Sequence, residues 1–180
     1  MNEERQRPDW QPILEGNLIT ARPLEPGDFE ALFAVASDPG IWEQHPEWDR
    51  YKREVFQRYF QSGIESKGAL VIFDRATGEL IGCSRYADYD EAQSSVEIGY
   101  TFLIRRCWGT GFNKEMKALM LQHAFRFVEN VLFYVGENNL RSRKAVEKIG
   151  GTLLKKLRQK PRGGPQYDRV VYQIQKSSHK

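Results

Sequence analysis

The sequence reads SVEIGYTFL at residues 95–103 and RRCWGTG at residues 105–111. The first segment is rich in β-branched and aromatic residues and predicts a strand. The second carries two glycines two positions apart, and glycine adopts backbone dihedral angles that other residues avoid. Apolar residues then recur at helical spacing and predict a helix over residues 113–128. The predicted order is therefore strand, glycine-rich turn and helix.

A glycine-rich turn before a helix is suited to phosphate binding. The backbone can approach the ligand closely, and the first N–H groups of the helix and its dipole attract negative charge. The turn lacks the spacing Gly-x-x-x-x-Gly-Lys-Ser/Thr of P-loop proteins and the spacing Gly-x-Gly-x-x-Gly of dinucleotide-binding folds. By itself, Arg-x-x-Gly-x-Gly at residues 106–111 is equally compatible with a turn that only packs the helix on the strand.

Predicted strands and helices alternate on both sides of this turn. Towards the N-terminus, strands are predicted at residues 17–24, 69–73 and 80–89, and helices at residues 29–36 and 50–64. Towards the C-terminus, strands are predicted at residues 131–135, 152–158 and 166–174, and a helix at residues 139–149. No internal repeat divides the chain, so we expect one α/β domain at residues 17–176, preceded by an irregular arm at residues 1–16.

The composition narrows the class of protein. Of the 180 residues 40% are apolar and 28% are charged, which is typical of a globular domain and excludes a disordered or collagen-like chain. The net charge of +3 is too small to indicate nucleic-acid binding by itself. There is no apolar run of the ~20 residues that cross a membrane, and no apolar segment of the kind found in secretion signals. With Cys83 and Cys107 as its only cysteines, we expect a cytoplasmic protein without disulfides or a metal.

A second motif, ENNLRSRKAVEKIG at residues 137–150, follows the glycine-rich turn. Together with EIGY at residues 97–100 and WGTGF at residues 108–112, it resembles the GNAT superfamily of N-acetyltransferases, in particular the RimJ/RimL branch. The turn is similar to the acetyl-CoA pyrophosphate loop of that superfamily. The resemblance extends over residues 17–174, and it departs at Gly151, where relatives carry an aromatic residue.

The resemblance implies a fold, a cosubstrate and the residues that hold it. We expect a single GNAT-like α/β domain with about four helices and a central mixed, mostly antiparallel sheet of about seven strands. A V-shaped opening between two parallel strands would leave backbone groups free to pair with acetyl-CoA. The residues that match the family's cofactor contacts are Phe102, Leu103, Ile104, Arg106, Gly109, Thr110, Gly111 and Asn139. Asn139 is also a favourable helix N-cap, and the two roles are compatible.

Acetylation of an amine needs a base for the ammonium and a proton donor for the leaving thiolate. By resemblance Glu97 is the base, and the alternative is a solvated carboxylate near a strand start. The position of the tyrosine that donates the proton in many relatives is Val146 here, so Ser142 is the nearest substitute. The alternative for Ser142 is a first-turn hydroxyl that bonds to the backbone. We expect direct transfer, because neither cysteine has an evident activating partner.

The acceptor amine is expected to bind near the segment between the first two helices, which lines the acceptor site in relatives. Glu43 and His45 are the candidates there, and Tyr86 is a further candidate from a central strand. The alternative for His45 is a structural or exposed residue, since a lone histidine is more often one of these. The sequence does not name the amine.

Two other functions remain open at this point. The missing tyrosine is compatible with a non-catalytic acyl-CoA-binding domain. The basic run at residues 155–162 is compatible with contact to RNA or a ribosome, although a solvated hairpin explains it more simply and we do not expect nucleic acid as a partner. A homodimer is compatible with each of these functions.

Overall fold

The computed structural model describes residues 7–159 and 167–179. Its strands are β1 (Leu14–Glu15), β2 (Ile19–Pro23), β3 (Ala69–Asp74), β4 (Leu80–Asp90), β5 (Ser95–Leu103), β6 (Asn130–Gly136), β7 (Thr152–Gln159) and β8 (Tyr167–Gln175). Its helices are α1 (Phe29–Ala36), α2 (Arg53–Ser66), α3 (Phe112–Ala124) and α4 (Leu140–Lys148). Nowhere in the described part of the chain is a helix both long and apolar enough to cross a membrane.

The strands form one sheet in the order β1-β2-β3-β4-β5-β6-β8-β7. Every neighbouring pair is antiparallel except β5 and β6, which run parallel. The expected mixed, mostly antiparallel sheet with four helices is therefore confirmed. The described residues contain eight strands where about seven were expected, because the two-residue strand β1 is too short to show any periodicity in the sequence.

The residues before β1 pack against the domain. The Trp10 ring lies 5.2 Å from that of Tyr86 and 5.6 Å from that of Phe127, measured between ring centroids. His123 forms a 2.6 Å hydrogen bond through Nε2 with the carbonyl oxygen of Asp9. This part of the arm was expected to be irregular, and it has no regular secondary structure before β1. It is nevertheless held in place by aromatic contacts from distant parts of the chain.

Side chains alternate between the two faces of the sheet and build two separate cores. Helix α3 covers one face, where it buries Tyr86, Ile98 and Met120. Helices α1 and α2 cover the other face and bury Cys83 and Phe102. As a result, neighbouring residues on β4 and β5 reach opposite sides of the molecule.

Strands β5 and β6 separate after three paired positions. The pairing runs from Ser95 opposite Asn130 to Glu97 opposite Leu132 and then stops, although both strands continue. The register between β4 and β5 shifts by one residue near Tyr100, which has a φ of 53°. Such a bulge bends a strand, and here it turns β5 away from β6. The expected V-shaped opening is therefore present.

Candidate active site

The opening between β5 and β6 leads into a cavity of about 240 Å³. Backbone and side chains of residues 98–103 form one wall, and the last residues of β6 form the other. Helices α3 and α4 close the cavity on one side of the sheet. Trp42, His45 and Trp108 contribute rings to its lining. The cavity is thus reached by groups from both faces of the sheet.

The glycine-rich turn stands at one end of this cavity. Gly109 lines it, and Gly111 is the N-cap of α3. Their φ angles are 72° and 99°, in the left-handed region that favours glycine. A Cβ on Gly109 would meet no atom within 4 Å, so backbone geometry rather than crowding explains this glycine. Thr110 stabilises the turn, because its hydroxyl donates to the carbonyl of Cys107 at 2.6 Å.

The side chain of Arg106 is directed away from the cavity. It donates to Asp74 at 3.1 Å and to Glu79 at 2.5 Å, and both carboxylates belong to the β3–β4 hairpin. Its positive charge is therefore already compensated. The structure thus leaves only the backbone of Arg106 for the predicted contact with a cofactor, because the hairpin carboxylates hold its side chain elsewhere.

Arg141 brings a positive charge to the cavity that sequence reasoning missed. Its guanidinium carbon lies 3.8 Å from the centroid of a Trp108 ring, and Nη2 donates to the carbonyl of Ile41 at 2.8 Å. Burial lowers the pKa of this group. The sequence does contain a clue to a functional role of Arg141, because it lies in the first turn of α4, where the helix dipole disfavours a cation. A cation at such a position indicates a role other than stabilising the helix.

The remaining predicted cofactor residues lie at or near the cavity. Phe102 and Leu103 line it, whereas their side chains also pack in the two cores. Ile104 does not line it, and its N–H donates to the Ile81 carbonyl at 2.8 Å. Asn139 lines the cavity and also caps α4, with Oδ1 accepting from the Ser142 N–H at 3.2 Å. The N-cap role is thus observed, and the cofactor contact of these residues stays a prediction.

Glu97 is buried at the last paired position before the strands separate. Val96 and Ile98 on either side of it belong to the α3 core, so strand alternation places Glu97 on the opposite face. Its carboxylate occupies the space beside Gly99, where an added Cβ would lie 2.5 Å from Oε1. Because Gly99 lines the cavity, the carboxylate lies directly behind the cavity wall.

The pKa of Glu97 is raised to about 7, primarily by burial. The neighbouring Asp88 carboxyl raises the pKa further through its charge and a hydrogen bond, while Arg169 and Arg85 oppose the shift. A carboxyl with this pKa changes protonation near neutral pH. It can therefore take a proton from an ammonium group and return it to solvent.

His45 lines the cavity, whereas Glu43 is exposed outside it. The His45 Nδ1 accepts from the Glu47 N–H at 2.9 Å, and Nε2 lies 3.4 Å from Nη1 of Arg50, a group that carries donors alone. Burial and the charges of Arg50, Arg169 and Arg141 hold the pKa of His45 well below 6.5. The ring is therefore better suited to contact an acceptor than to deprotonate it.

Tyr86 is not brought to the cavity. Its ring is buried in the α3 core, and its hydroxyl donates to the carbonyl of Met120 at 2.8 Å. Successive residues of a strand point to opposite faces of the sheet. The preceding residue, Arg85, faces α2, where it donates to the carbonyl of Tyr59, so Tyr86 faces α3. This placement corrects the expectation that Tyr86 contributes to an acceptor site.

Ser142 lines the cavity from the first turn of α4. Its backbone N–H is used by Asn139, while the structure gives its hydroxyl no hydrogen-bond partner among the described residues. The hydroxyl is therefore not committed to the backbone, in contrast with the structural alternative for this residue. Its predicted role as proton donor stays a prediction.

Lys117 is a second functional candidate that the sequence analysis missed. It lines the cavity from α3, and it is buried with Nζ donating to Thr101 Oγ1 at 2.6 Å and to Ser84 Oγ at 3.2 Å. Burial lowers its pKa to about 7. The available signal was a lysine within the predicted apolar stripe of the helix, between Met116 and Met120.

Both cysteines are buried and poor nucleophiles. Burial raises the pKa of the Cys83 thiol to about 11, although its hydrogen bond with Tyr59 opposes the shift. Burial also raises the pKa of Cys107. Since the thiolate is the reactive form, neither residue is set up to carry a covalent intermediate. Among residues 7–159 and 167–179, no three His, Cys, Asp or Glu side chains converge to hold a metal ion.

The basic run at residues 155–162 lies partly outside the described residues. Of its described members, Lys156 forms an ion pair with Glu137, and Arg158 lies 4.0 Å from Asp168. Acidic side chains therefore offset part of this positive charge, as expected for a solvated hairpin.

Several solved structures share this fold. A GCN5-related N-acetyltransferase from Brucella melitensis superposes with a TM-score of 0.82 at 21% identity, over 93% of this chain and 80% of that chain. Mycobacterium smegmatis RimJ in complex with CoA-disulfide gives 0.74 at 18% identity, over 96% and 91%. A spermidine N-acetyltransferase from Vibrio cholerae in complex with CoA and spermine gives 0.70 at 18% identity, over 91% and 99%. At these identities the likeness establishes the fold alone.

The family assignment rests on the sequence match. Residues 19–152 match the family described as Acetyltransferase (GNAT) domain, which is well over half of the chain. No curated protein matches the sequence at a significant level. The match includes β5, the glycine-rich turn, α3 and α4, which together surround the cavity. The chain therefore belongs to the GNAT acetyltransferase family.

Proposed function

We propose that this protein is an acetyl-CoA-dependent N-acetyltransferase that transfers an acetyl group directly to a primary amine. The observation that carries the proposal is the buried Glu97 carboxyl, with a pKa of about 7, behind the cavity wall where β5 and β6 separate. A GNAT domain supplies the acyl-transfer chemistry in general terms. The near-neutral base is what favours an amine as acceptor, because an amine must lose a proton before or during attack.

The described cavity fits acetyl-CoA as cosubstrate. The glycine-rich turn and the first turn of α3 offer backbone N–H groups for the pyrophosphate, and Arg141 adds a cation in the adjoining wall. Beyond Glu97 the edge of β5 has no strand partner on β6. This edge offers backbone groups for the amides of the pantetheine arm, although the Leu103 carbonyl already accepts from Trp108 Nε1 at 3.0 Å. The thioester would then reach the point where the strands separate.

The buried, protonated state of the two cysteine thiols supports direct transfer of the acetyl group to the amine. An acetyl-enzyme would need an accessible thiolate, whereas Cys83 and Cys107 are buried and have raised pKa values. The amine therefore attacks the thioester carbon itself while Glu97 takes its proton. In this proposal the proton passes to Glu97 through water, because the carboxylate lies beside Gly99 while Glu97 itself does not line the cavity.

The acceptor is proposed only as a primary amine, in a small molecule or at a protein N-terminus. We place the protein in the RimJ/RimL branch on the strength of its two motifs, and in the cytoplasm. Polyamines belong in any screen because the V. cholerae neighbour is a spermidine N-acetyltransferase. Peptide N-termini belong there because the sequence resembles the RimJ/RimL branch.

The test is an acceptor screen with the purified protein. Acetyl-CoA is mixed with polyamines, N-terminal peptides, aminoglycosides or amino acids, and thiol release is followed together with the mass of the product. We expect one class to gain an acetyl group on nitrogen at a rate well above hydrolysis. Binding of acetyl-CoA without any acetylated product would favour the non-catalytic acyl-CoA-binding domain. Salt-sensitive RNA binding without acetyl-CoA binding would favour the RNA-associated module.

A further inference from the structure

Lys117 is an ionisable group in the cavity that the proposed function has not used. It is 5% exposed, and its Nζ donates to the hydroxyls of Ser84 and Thr101. Among the described residues no carboxylate forms an ion pair with it, and its hydrogen-bond partners are hydroxyls alone. A buried cation without a counterion is destabilising, so packing does not explain this lysine.

The groups that face Lys117 leave its protonation balanced near neutral pH. Burial lowers its pKa to about 7, and the electrostatic influence of Cys83 on β4 and Glu97 on β5 opposes that shift. The Phe133 ring on β6 lies 5.7 Å from Nζ, which also donates to the two hydroxyls. The ammonium can therefore lose and regain a proton without a large change in free energy.

Lys117 and Glu97 lie on opposite faces of the sheet. Lys117 reaches the cavity from α3, whereas Glu97 lies on the face covered by α1 and α2. The opening between β5 and β6 lies between these two faces. An amine in this opening can lose a proton to Glu97 on one face of the sheet, while a thiolate in the opening gains a proton from Lys117 on the other face.

We propose that Lys117 donates the proton that the CoA thiolate needs on leaving, an inference that rests on the proposed N-acetyltransferase function. In this step the amine nitrogen forms a bond with the acetyl carbon, and the C–S bond breaks with its electron pair on sulfur. The Nζ proton of Lys117 passes to sulfur, and the amine proton passes to Glu97. Both residues then return to their starting protonation by exchange with solvent.

The energetics favour this transfer. A thiol has an ordinary pKa of ~8.5, so a proton moves to a thiolate favourably from an ammonium with a pKa of about 7. A serine hydroxyl is a far weaker acid, so Ser142 is the less suitable donor. Lys117, on α3, would thus take the role of the proton-donating tyrosine that many relatives carry at the position of Val146, on α4.

The first experiment titrates CoA bound to the protein, following the ultraviolet absorbance of its thiolate. The variant Lys117→Met removes the ammonium, and Lys148→Met makes the same change at an exposed position on α4 that does not line the cavity. We expect the apparent pKa of the bound thiol, titrated over about pH 6–10, to be higher in Lys117→Met than in the wild-type protein and Lys148→Met, because a nearby ammonium favours the thiolate. An identical titration curve in all three proteins would overturn the proposal.

The second experiment separates proton donation from a structural role. Lys117→Gln keeps a hydrogen-bond donor toward Thr101 but has no proton of suitable acidity. We expect both Lys117 variants to lower kcat about 100-fold, with the KM for acetyl-CoA changed only a few-fold and the alkaline limb of the kcat profile lost. Full activity of Lys117→Gln would overturn the proposal, as would a loss confined to KM.

The outcomes distinguish this inference from the proposed function. If no amine is acetylated but the bound thiol still titrates differently in Lys117→Met, the acceptor proposal fails and the contact between Lys117 and the thiol stands. If an amine is acetylated equally by all variants, the function stands and the role of Lys117 is overturned. A protein that binds no CoA would contradict both.

Discussion

Glu97 and Lys117 show at the residue scale how burial moves two pKa values toward neutrality from opposite directions. Burial disfavours the charged form, so it raises the pKa of the carboxyl and lowers that of the ammonium, each to about 7. The charge of Glu97 also opposes, to a smaller extent, the lowering of the Lys117 pKa. A base and an acid that work at the same pH are what acetyl transfer requires.

Replacing Glu97 tests the base. Its ionised form increases as the pH rises through about 7, so Glu97 should give the kcat profile of the wild-type protein its acidic limb, below the alkaline limb assigned to Lys117. Glu97→Gln should lower kcat by ~100–10,000-fold near neutral pH, and its difference from the wild-type protein at the same pH should shrink as the pH rises, because the amine then deprotonates unaided. Steady-state rates across pH 6–10 check this, with the proposed acceptor at saturation. Unchanged activity at pH 7 would remove Glu97 from the mechanism.

The stability of Lys117→Met should depend on pH in a defined direction. In the unfolded chain lysine keeps a pKa of 10.5, whereas in the folded protein its pKa is about 7. Between these values the unfolded state binds the extra proton, so the free energy of unfolding of the wild-type protein falls as the pH falls. Below about pH 7 both states are protonated and the difference is constant.

We therefore expect the free energy of unfolding of Lys117→Met to exceed that of the wild-type protein by an amount that grows by about 2 kcal/mol from pH 9 to pH 7. Urea unfolding at the two pH values measures it. Ser84 and Thr101 remain satisfied in the variant, because their hydroxyls lie 2.7 Å apart. An advantage that is independent of pH would contradict a lowered lysine pKa.

The glycine-rich turn and α3 act together at the scale of secondary structure. Gly109 and Gly78 have the same φ of 72°, and a Cβ at either would meet no atom within 4 Å. Gly78 lies in the turn between β3 and β4 and does not line the cavity, whereas Gly109 forms part of the lining. The two glycines thus differ in location but not in local geometry.

This match allows backbone strain to be separated from ligand binding. Gly109→Ala and Gly78→Ala should each destabilise the fold by about 1 kcal/mol, because alanine is strained at a positive φ. Only Gly109→Ala should also weaken acetyl-CoA binding, by about tenfold or more, since a strained turn no longer presents its N–H groups in the same way. Calorimetric titration of both variants checks this. Equal affinities would show that the turn is not part of the cosubstrate site.

At the scale of the whole molecule, ligand binding is linked to stability. A ligand that binds only the folded state stabilises it by about 2.7 kcal/mol at 100 times its Kd. For a domain of this size that corresponds to a rise in Tm of about 5–10 °C. Thermal unfolding with and without CoA should show this rise for the wild-type protein and Gly78→Ala at the same CoA concentration. For Gly109→Ala the rise should be smaller, and an equal rise would contradict the site.

The arrangement of strands, turns and helices could largely be predicted from the sequence. Strand β5 was predicted with its observed bounds, because its β-branched and aromatic residues and the following glycines mark both ends. The predicted helix at residues 113–128 ends earlier, at Ala124, where Phe127 N–H bonds three residues back instead of four and closes a turn. Strand β1 escaped prediction because two residues carry no periodic signal.

The sequence alone determined the family, through its two motifs, and the position of Glu97 on β5. The tertiary structure alone decided which side chains reach the cavity, because that depends on strand parity and on charges from distant segments. It turned Tyr86 into the α3 core, paired Arg106 with the β3–β4 hairpin, and placed Arg141 and Lys117 in the cavity wall. The near-neutral pKa values of Glu97 and Lys117 have the same origin, since burial arises only when helices pack on both faces of a separated strand pair.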